Sequence, residues 1–155
     1  MHSVVAVGIK SFAVGIALLM VVAPRPVAAD GLLWHLFAFD GERVNAVAVG
    51  DAGRVVYLST DQGLQVSDDG GETWLCAWQD LAGEGAPPVV TLAVDPRDPR
   101  TAYAGTDCGS GAGLYVTHDL GLHWQRIFAG PGQGGIRSVA VSPTDPDVIL
   151  ASAVQ

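Results

Sequence analysis

The sequence is nearly devoid of lysine. Lys10 is the only one in 155 residues, and the other basic residues are arginines, set against sixteen acidic ones. A formal net charge of −8 without any basic run argues against a nucleic-acid partner and against anionic membrane surfaces. Cysteine is almost as scarce, with Cys76 and Cys108 alone. Two separate thiols are expected, 32 residues apart in the sequence. A disulfide needs Cα atoms within about 7 Å. Helical periodicity is missing from Asp30 onward, and long apolar runs are missing everywhere except near the start.

That one run, Ser11 to Ala23, follows Lys10 and precedes Pro24-Arg25-Pro26 and Val27-Ala28-Ala29. The order of charge, apolar stretch and small residues is that of a secretory signal peptide over residues 1–29, cleaved after Ala29. An uncleaved anchor is the alternative, since Val4 to Ala23 approaches the ~20 residues a bilayer needs. Both readings export the body of the protein to the periplasm, the cell surface or the exterior. Losing Lys10 and Arg25 leaves six basic against sixteen acidic residues, a charge of −10. Beyond that export signal no membrane association is expected.

The body reads as short β segments. Three share an apolar core: Val44 to Val49, Val90 to Val94, and Arg137 to Val141, whose centres Val47, Leu92 and Val139 lie 45 and 47 residues apart. Each is followed by a polar turn, Gly50-Asp51-Ala52-Gly53, then Asp95 to Pro99, then Ser142 to Pro146. Asp-Pro turns end a strand without needing a donor. Second strands follow at Val55 to Ser59, Thr101 to Gly105 and Val148 to Ser152. Third strands run from Leu64 to Ser67 and from Leu114 to Thr117, each introduced by glycine, and fourth strands begin at Trp74 and Trp124. Four strands in about 45 residues is the size of a β-propeller blade.

The fold class expected is therefore all-β, a propeller of four-stranded antiparallel blades, present as about two and a half blades over residues 30–155. Blades occupy 44–79 and 89–128, and a half blade occupies 136–155. Trp34 to Phe39 resembles the fourth strands and is expected to be an orphan outer strand that closes the ring in the last blade, removing a sheet edge. A ring needs four to eight blades, so the chain reads as the N-terminal part of a longer protein and, alone, as poorly stable.

Between third and fourth strands lies Ser67-Asp68-Asp69-Gly70-Gly71-Glu72-Thr73-Trp74, a match to S-x-D-x-G-x-T-W. Thr117 to Trp124 repeats it fifty residues later, with Thr117 for Ser, Leu120 for Gly and His123 for Thr. The motif resembles the Asp-box of BNR-type propellers, among them bacterial sialidases, xyloglucan-active glycoside hydrolases, sortilin-type receptors and photosystem assembly factors. The resemblance implies a structural device on the blade periphery, built from Ser67, Asp69, Gly71, Thr73 and Trp74, and from Thr117, Asp119, Gly121 and Trp124. His118 and His123 five apart across a tight turn do not make a metal site, and the ligand order of a calcium loop is absent. No metal and no cofactor is expected.

Alternating strand direction puts the connections from fourth to first and from second to third strands on the face opposite the Asp-boxes. Those longer loops are where binding residues concentrate, and they nominate Asp80, Glu84, Asp107 and Gln133. The glycine-rich 129–135 loop precedes no helix and is not a phosphate cradle. The first expectation for function is an exported scaffold that binds a protein or glycan ligand. The alternative is the N-terminal part of a glycoside hydrolase of sialidase or xyloglucanase type, and a decayed frame without activity is the third. A sialidase would need an arginine cluster and other glycosidases two carboxylates about 5–10 Å apart. Catalytic residues are not identifiable from the sequence.

Overall fold

A computed structural model of the chain describes residues 17–22, 34–39, 43–77, 88–107, 109–130 and 134–153. Strands β1 (Ala17–Val22) and β2 (Trp34–Phe39) form an antiparallel pair. β3 (Val44–Gly50), β4 (Val55–Thr60), β5 (Gly63–Ser67) and β6 (Leu75–Cys76) form a four-stranded antiparallel sheet in chain order. β7 (Val89–Val94), β8 (Ala102–Thr106), β9 (Gly113–Thr117) and β10 (Gln125–Ala129) form a second. β11 (Ile136–Val141) and β12 (Ile149–Ala153) begin a third. These are incomplete propeller blades, all-β as the period-2 pattern requires.

The strands fall where the alternating segments lie, with shifts of one residue. Both third strands open on the glycine itself, and the fourth strands start after the tryptophans, at Leu75 and Gln125. The exception is β2, which pairs with β1 inside the segment read as an export leader and with no blade strand among the described residues.

The first strands sit side by side, β3 against β7 and β7 against β11, so the sheets stack around a common inner edge. Between the first two sheets lie Val55, Tyr57, Leu64, Val66 and Ala77 from one side and Val89, Leu92, Ala102, Ala104, Tyr115 and Trp124 from the other. Polar groups in this seam find partners across it, as buried donors must. The Tyr57 hydroxyl donates to the carbonyls of Pro99 and Arg100 (3.0 and 3.2 Å), and Ser59 Oγ donates to the Val89 carbonyl at 2.9 Å. Burial, and then the carboxylates of Asp98 and Asp119, push the Tyr57 phenol well above its ordinary range.

The next seam packs Tyr103, Leu114 and Val116 against Ile136 and Val139. There Gly105 takes the place of Ser59 and Ile136 that of Val89, a smaller residue facing a larger one. A Cβ on Gly105 would sit 2.5 Å from Thr91 Cγ2 and 2.8 Å from Ile136 Cγ2. Gly105→Ala is thus expected to destabilise the protein by about 1–3 kcal/mol through overpacking. Urea unfolding with an unchanged midpoint would contradict this packing account. Among the described residues the third sheet comprises β11 and β12, and Leu150 is 70% exposed.

Candidate functional site

The octapeptide turns lie at one end of the blades. In the first, Ser67 Oγ donates to Asp69 Oδ1 (2.7 Å) and accepts from the Gly71 N–H (2.7 Å), while Thr73 donates its N–H to Oδ1 and its hydroxyl to Oδ2 (2.9 and 2.6 Å). The second turn keeps every bond. Thr117 stands for Ser67, and His123 supplies both its N–H (2.9 Å) and ring Nδ1 (2.6 Å) to Asp119. Leu120 adopts φ 63° where Gly70 has φ 79°, a left-handed conformation that costs a side chain about 1–2 kcal/mol. The adjoining Gly121 (φ 81°) leaves no room for a side chain: a Cβ there would be 2.7 Å from that of Ala77.

These bonds spend the carboxylates within their own turns. Hydrogen bonds from the Thr73 hydroxyl and N–H and from Ser67 hold Asp69 well below the usual carboxylate range. Desolvation pushes Asp119 up, but the bonds from the His123 N–H and ring and from Thr117 outweigh it and hold the group at about 2. An unfolded Asp titrates near about 3.9, so the folded turns bind fewer protons than the unfolded chain. Their contribution to stability is complete above about pH 4 and falls away as the pH drops towards about 2. Thermal unfolding followed between those values should show Asp119→Asn flattening the acid slope, whereas a slope identical to the parent protein would refute this linkage.

His118 and His123 do not converge. The former pairs its Nδ1 with Thr101 Oγ1 at 3.1 Å, and the latter faces Asp119. Among the described residues no cluster of three or more metal-ligating side chains occurs. Cys76 is an exposed free thiol, while Cys108 lies outside the described residues.

The opposite end carries the β4–β5 and β8–β9 connections and the approaches to β3, β7 and β11. Of the nominated loop residues, Asp80, Glu84 and Gln133 lie outside the described residues, and Asp107 lies within them. Asp107 is not solitary: its Oδ1 is 3.1 Å from Nη2 of Arg137 in the next sheet. The structure adds a residue that the sequence reading missed. Asp61, at the end of β4, is the repeat counterpart of Asp107, as Tyr57-Leu58-Ser59-Thr60-Asp61 set against Tyr103-Ala104-Gly105-Thr106-Asp107 makes plain. Each aspartate donates its N–H to the residue just before its own inner strand, Asp61 to the Arg43 carbonyl (3.1 Å) and Asp107 to that of Pro88 (3.0 Å).

The Asp61 side chain is 46% exposed. Asn45 Nδ2 donates to its Oδ1 at 3.1 Å, and Arg43 Nε lies 3.6 Å from the same oxygen. Both donors meet one oxygen, so the carboxylate is oriented while its Oδ2 has no donor among the described residues.

Asn45 and Arg137, whose side chains meet these aspartates, share a backbone feature with a residue of the second sheet. Pairing skips from Val44 to Ala46 in β3, from Val89 to Thr91 in β7 and from Ile136 to Ser138 in β11. The extra residue is Asn45, Val90 and Arg137 respectively, the same place in three repeats. A bulge leaves its residue unpaired and re-aims its side chain, and bulges gather beside active sites.

No family model matches the chain. A stretch of 75 residues, 47% of the chain, is 36% identical to an oligoxyloglucan-reducing end-specific xyloglucanase of Emericella nidulans, of which it covers 8%. The fold is similar to that of an ancestral GH74 enzyme, with a TM-score of 0.55 at 17% identity, covering 70% of this chain and 16% of that one. It is similar also to a GH74 enzyme of Niastella koreensis, with a TM-score of 0.53 at 21% identity over 72% of this chain and 19% of that one. The chain thus spans less than a fifth of each of these proteins. At such identities the structural likeness establishes the propeller fold.

Proposed function

We propose that this chain is the part of a propeller glycoside hydrolase that faces its substrate, a xyloglucan or related β-glucan, and that Asp61 is one of the two carboxylates the reaction needs. The stretch 36% identical to a xyloglucanase carries the reading. Glycosidic cleavage uses a carboxyl pair across the scissile bond, one protonating the leaving oxygen and the other activating water or attacking the sugar. Asp61 is suited to the second role, being on the loop face, half exposed, and fixed through Oδ1 with Oδ2 clear of described donors. Asp107 is less suited to be the second carboxylate, because its ion pair is closer than that of Asp61 (3.1 Å to Arg137 against 3.6 Å to Arg43) and its side chain less exposed (24% against 46%).

A sialidase is the weaker variant of this reading. Its substrate carboxylate calls for clustered arginines, whereas the loop-end Arg43 and Arg137 are paired with aspartates of two different sheets, and Arg54 and Arg97 donate to the Asp68 and Thr144 carbonyls at the turn end. Export, expected from the leader-like order of residues 1–29, would suit a polysaccharide substrate that lies outside the cell.

The deciding experiment incubates the full-length protein with xyloglucan, mixed-linkage β-glucan and a sialoside and measures new reducing ends or released sialic acid. Cleavage of xyloglucan is the expected result. Binding of glycan without any cleavage would overturn the hydrolase reading and leave the binding scaffold in its place.

A further inference from the structure

The three bulged residues differ in chemistry while their surroundings repeat. Arg137, in the third sheet, reaches back to Asp107 of the second and ties its Oδ1 at 3.1 Å. The residue of the second sheet at the same bulge is Val90. By the repeat it stands towards Asp61 as Arg137 stands towards Asp107, and β3 packs beside β7 as β7 packs beside β11. Both aspartates are anchored by the same backbone bond to their own sheet. Valine has no donor to offer, so among the described residues no cation of the second sheet pairs with Asp61, and the guanidinium beside it, Arg43 Nε at 3.6 Å from Oδ1, belongs to its own sheet. Its own sheet supplies Asn45 at the bulge instead, which steadies one oxygen without covering the other.

We infer that the bulged residue of each inner strand sets the state of the repeat's aspartate: Arg137 locks Asp107, whereas Val90 leaves Asp61 open to the hydroxyls of a glycan that Asn45 holds it ready to meet. Val90 is on this account a specificity-determining position and Asn45 a positioning residue. The inference rests on the glycan-directed reading of the same face.

The test is to install the lock. Full-length Val90→Arg is crystallised, and its affinity for xyloglucan oligosaccharides is measured by calorimetry beside its turnover. The expected result is a guanidinium within about 4 Å of Asp61, the separation of an ion pair, with binding weakened about tenfold, the scale of losing a hydrogen bond to a charged group. Asn45→Ala should instead lower kcat more than it raises KM, and Asn45→Ser, which can still donate, should recover part of the loss. A guanidinium turned away from Asp61, or one paired with it while binding is unchanged, overturns the inference. Glycan binding without turnover in the parent protein defeats the hydrolase reading alone, and the affinity of Val90→Arg still decides this one.

Discussion

Full-length protein carrying Asp61→Asn is expected to lose about 10²–10⁴-fold of its kcat on xyloglucan, the range a positioned acid or base contributes. The amide matches the carboxylate in shape and retains an oxygen for Asn45 Nδ2, now 3.1 Å from Oδ1. What it loses is the negative charge and the basic oxygen on the open side. A role in chemistry would therefore show as a fall in kcat with KM changed little. The same substitution at Asp107 lacks this expectation, since the Arg137 guanidinium already occupies that carboxylate. Steady-state kinetics over a xyloglucan oligosaccharide series would check it. A kcat within a fewfold of the parent value would remove Asp61 from the mechanism.

The largest effect on stability is expected from Trp124→Ala, about 3–5 kcal/mol, as for other buried aromatic residues cut to alanine. Trp124 is 8% exposed in the seam between the first two sheets, and its Nε1 donates to the Ala77 carbonyl at 2.6 Å. Truncation empties the space beside Leu64, Val66 and Ala77 and leaves that carbonyl without its indole donor. Against a total of about 5–15 kcal/mol for a domain the loss is large. Trp124→Phe separates the two effects, retaining most of the ring and costing about 1 kcal/mol for the bond. Trp74, its repeat counterpart, is only partly buried and packs on the far side of the first sheet against Val56 and Leu58, so Trp74→Ala should cost less. Equal losses at the two positions, measured by denaturant unfolding, would show that the seam between sheets is not what makes Trp124 matter.

The blade frame was legible because period-2 runs and their punctuation are local. Val47, Leu92 and Val139 lie inside β3, β7 and β11, and the Gly63 and Gly113 signals open β5 and β9. The loop end was legible from strand direction alone, which nominated Asp107, the residue the structure pairs with Arg137. Asp61 was overlooked because it closes a tight connection rather than a long loop, although aligning Thr60-Asp61 with Thr106-Asp107 would have revealed it. The bulges carried no warning. Asn45, Val90 and Arg137 share no composition, and an extra residue within an alternating run looks like ordinary sequence until the register is known. The adoption of Thr73's place by His123 was equally hidden, because hydroxyl and imidazole resemble each other only as donors to a fixed carboxylate.

The recurring bulge separates two demands that usually compete at a binding surface. Residues 45, 90 and 137 stand outside the ladder pairing of their strands, so exchanging their side chains leaves the cross-strand register intact. Asparagine, valine and arginine already occupy the same place in one molecule, which shows how wide a chemistry the frame accepts there. On the proposed glycan-facing surface, a library varied at these three positions alone would test new preferences on an unchanged scaffold. Natural divergence has the same route open to it, altering what the protein recognises without first having to rescue how it folds.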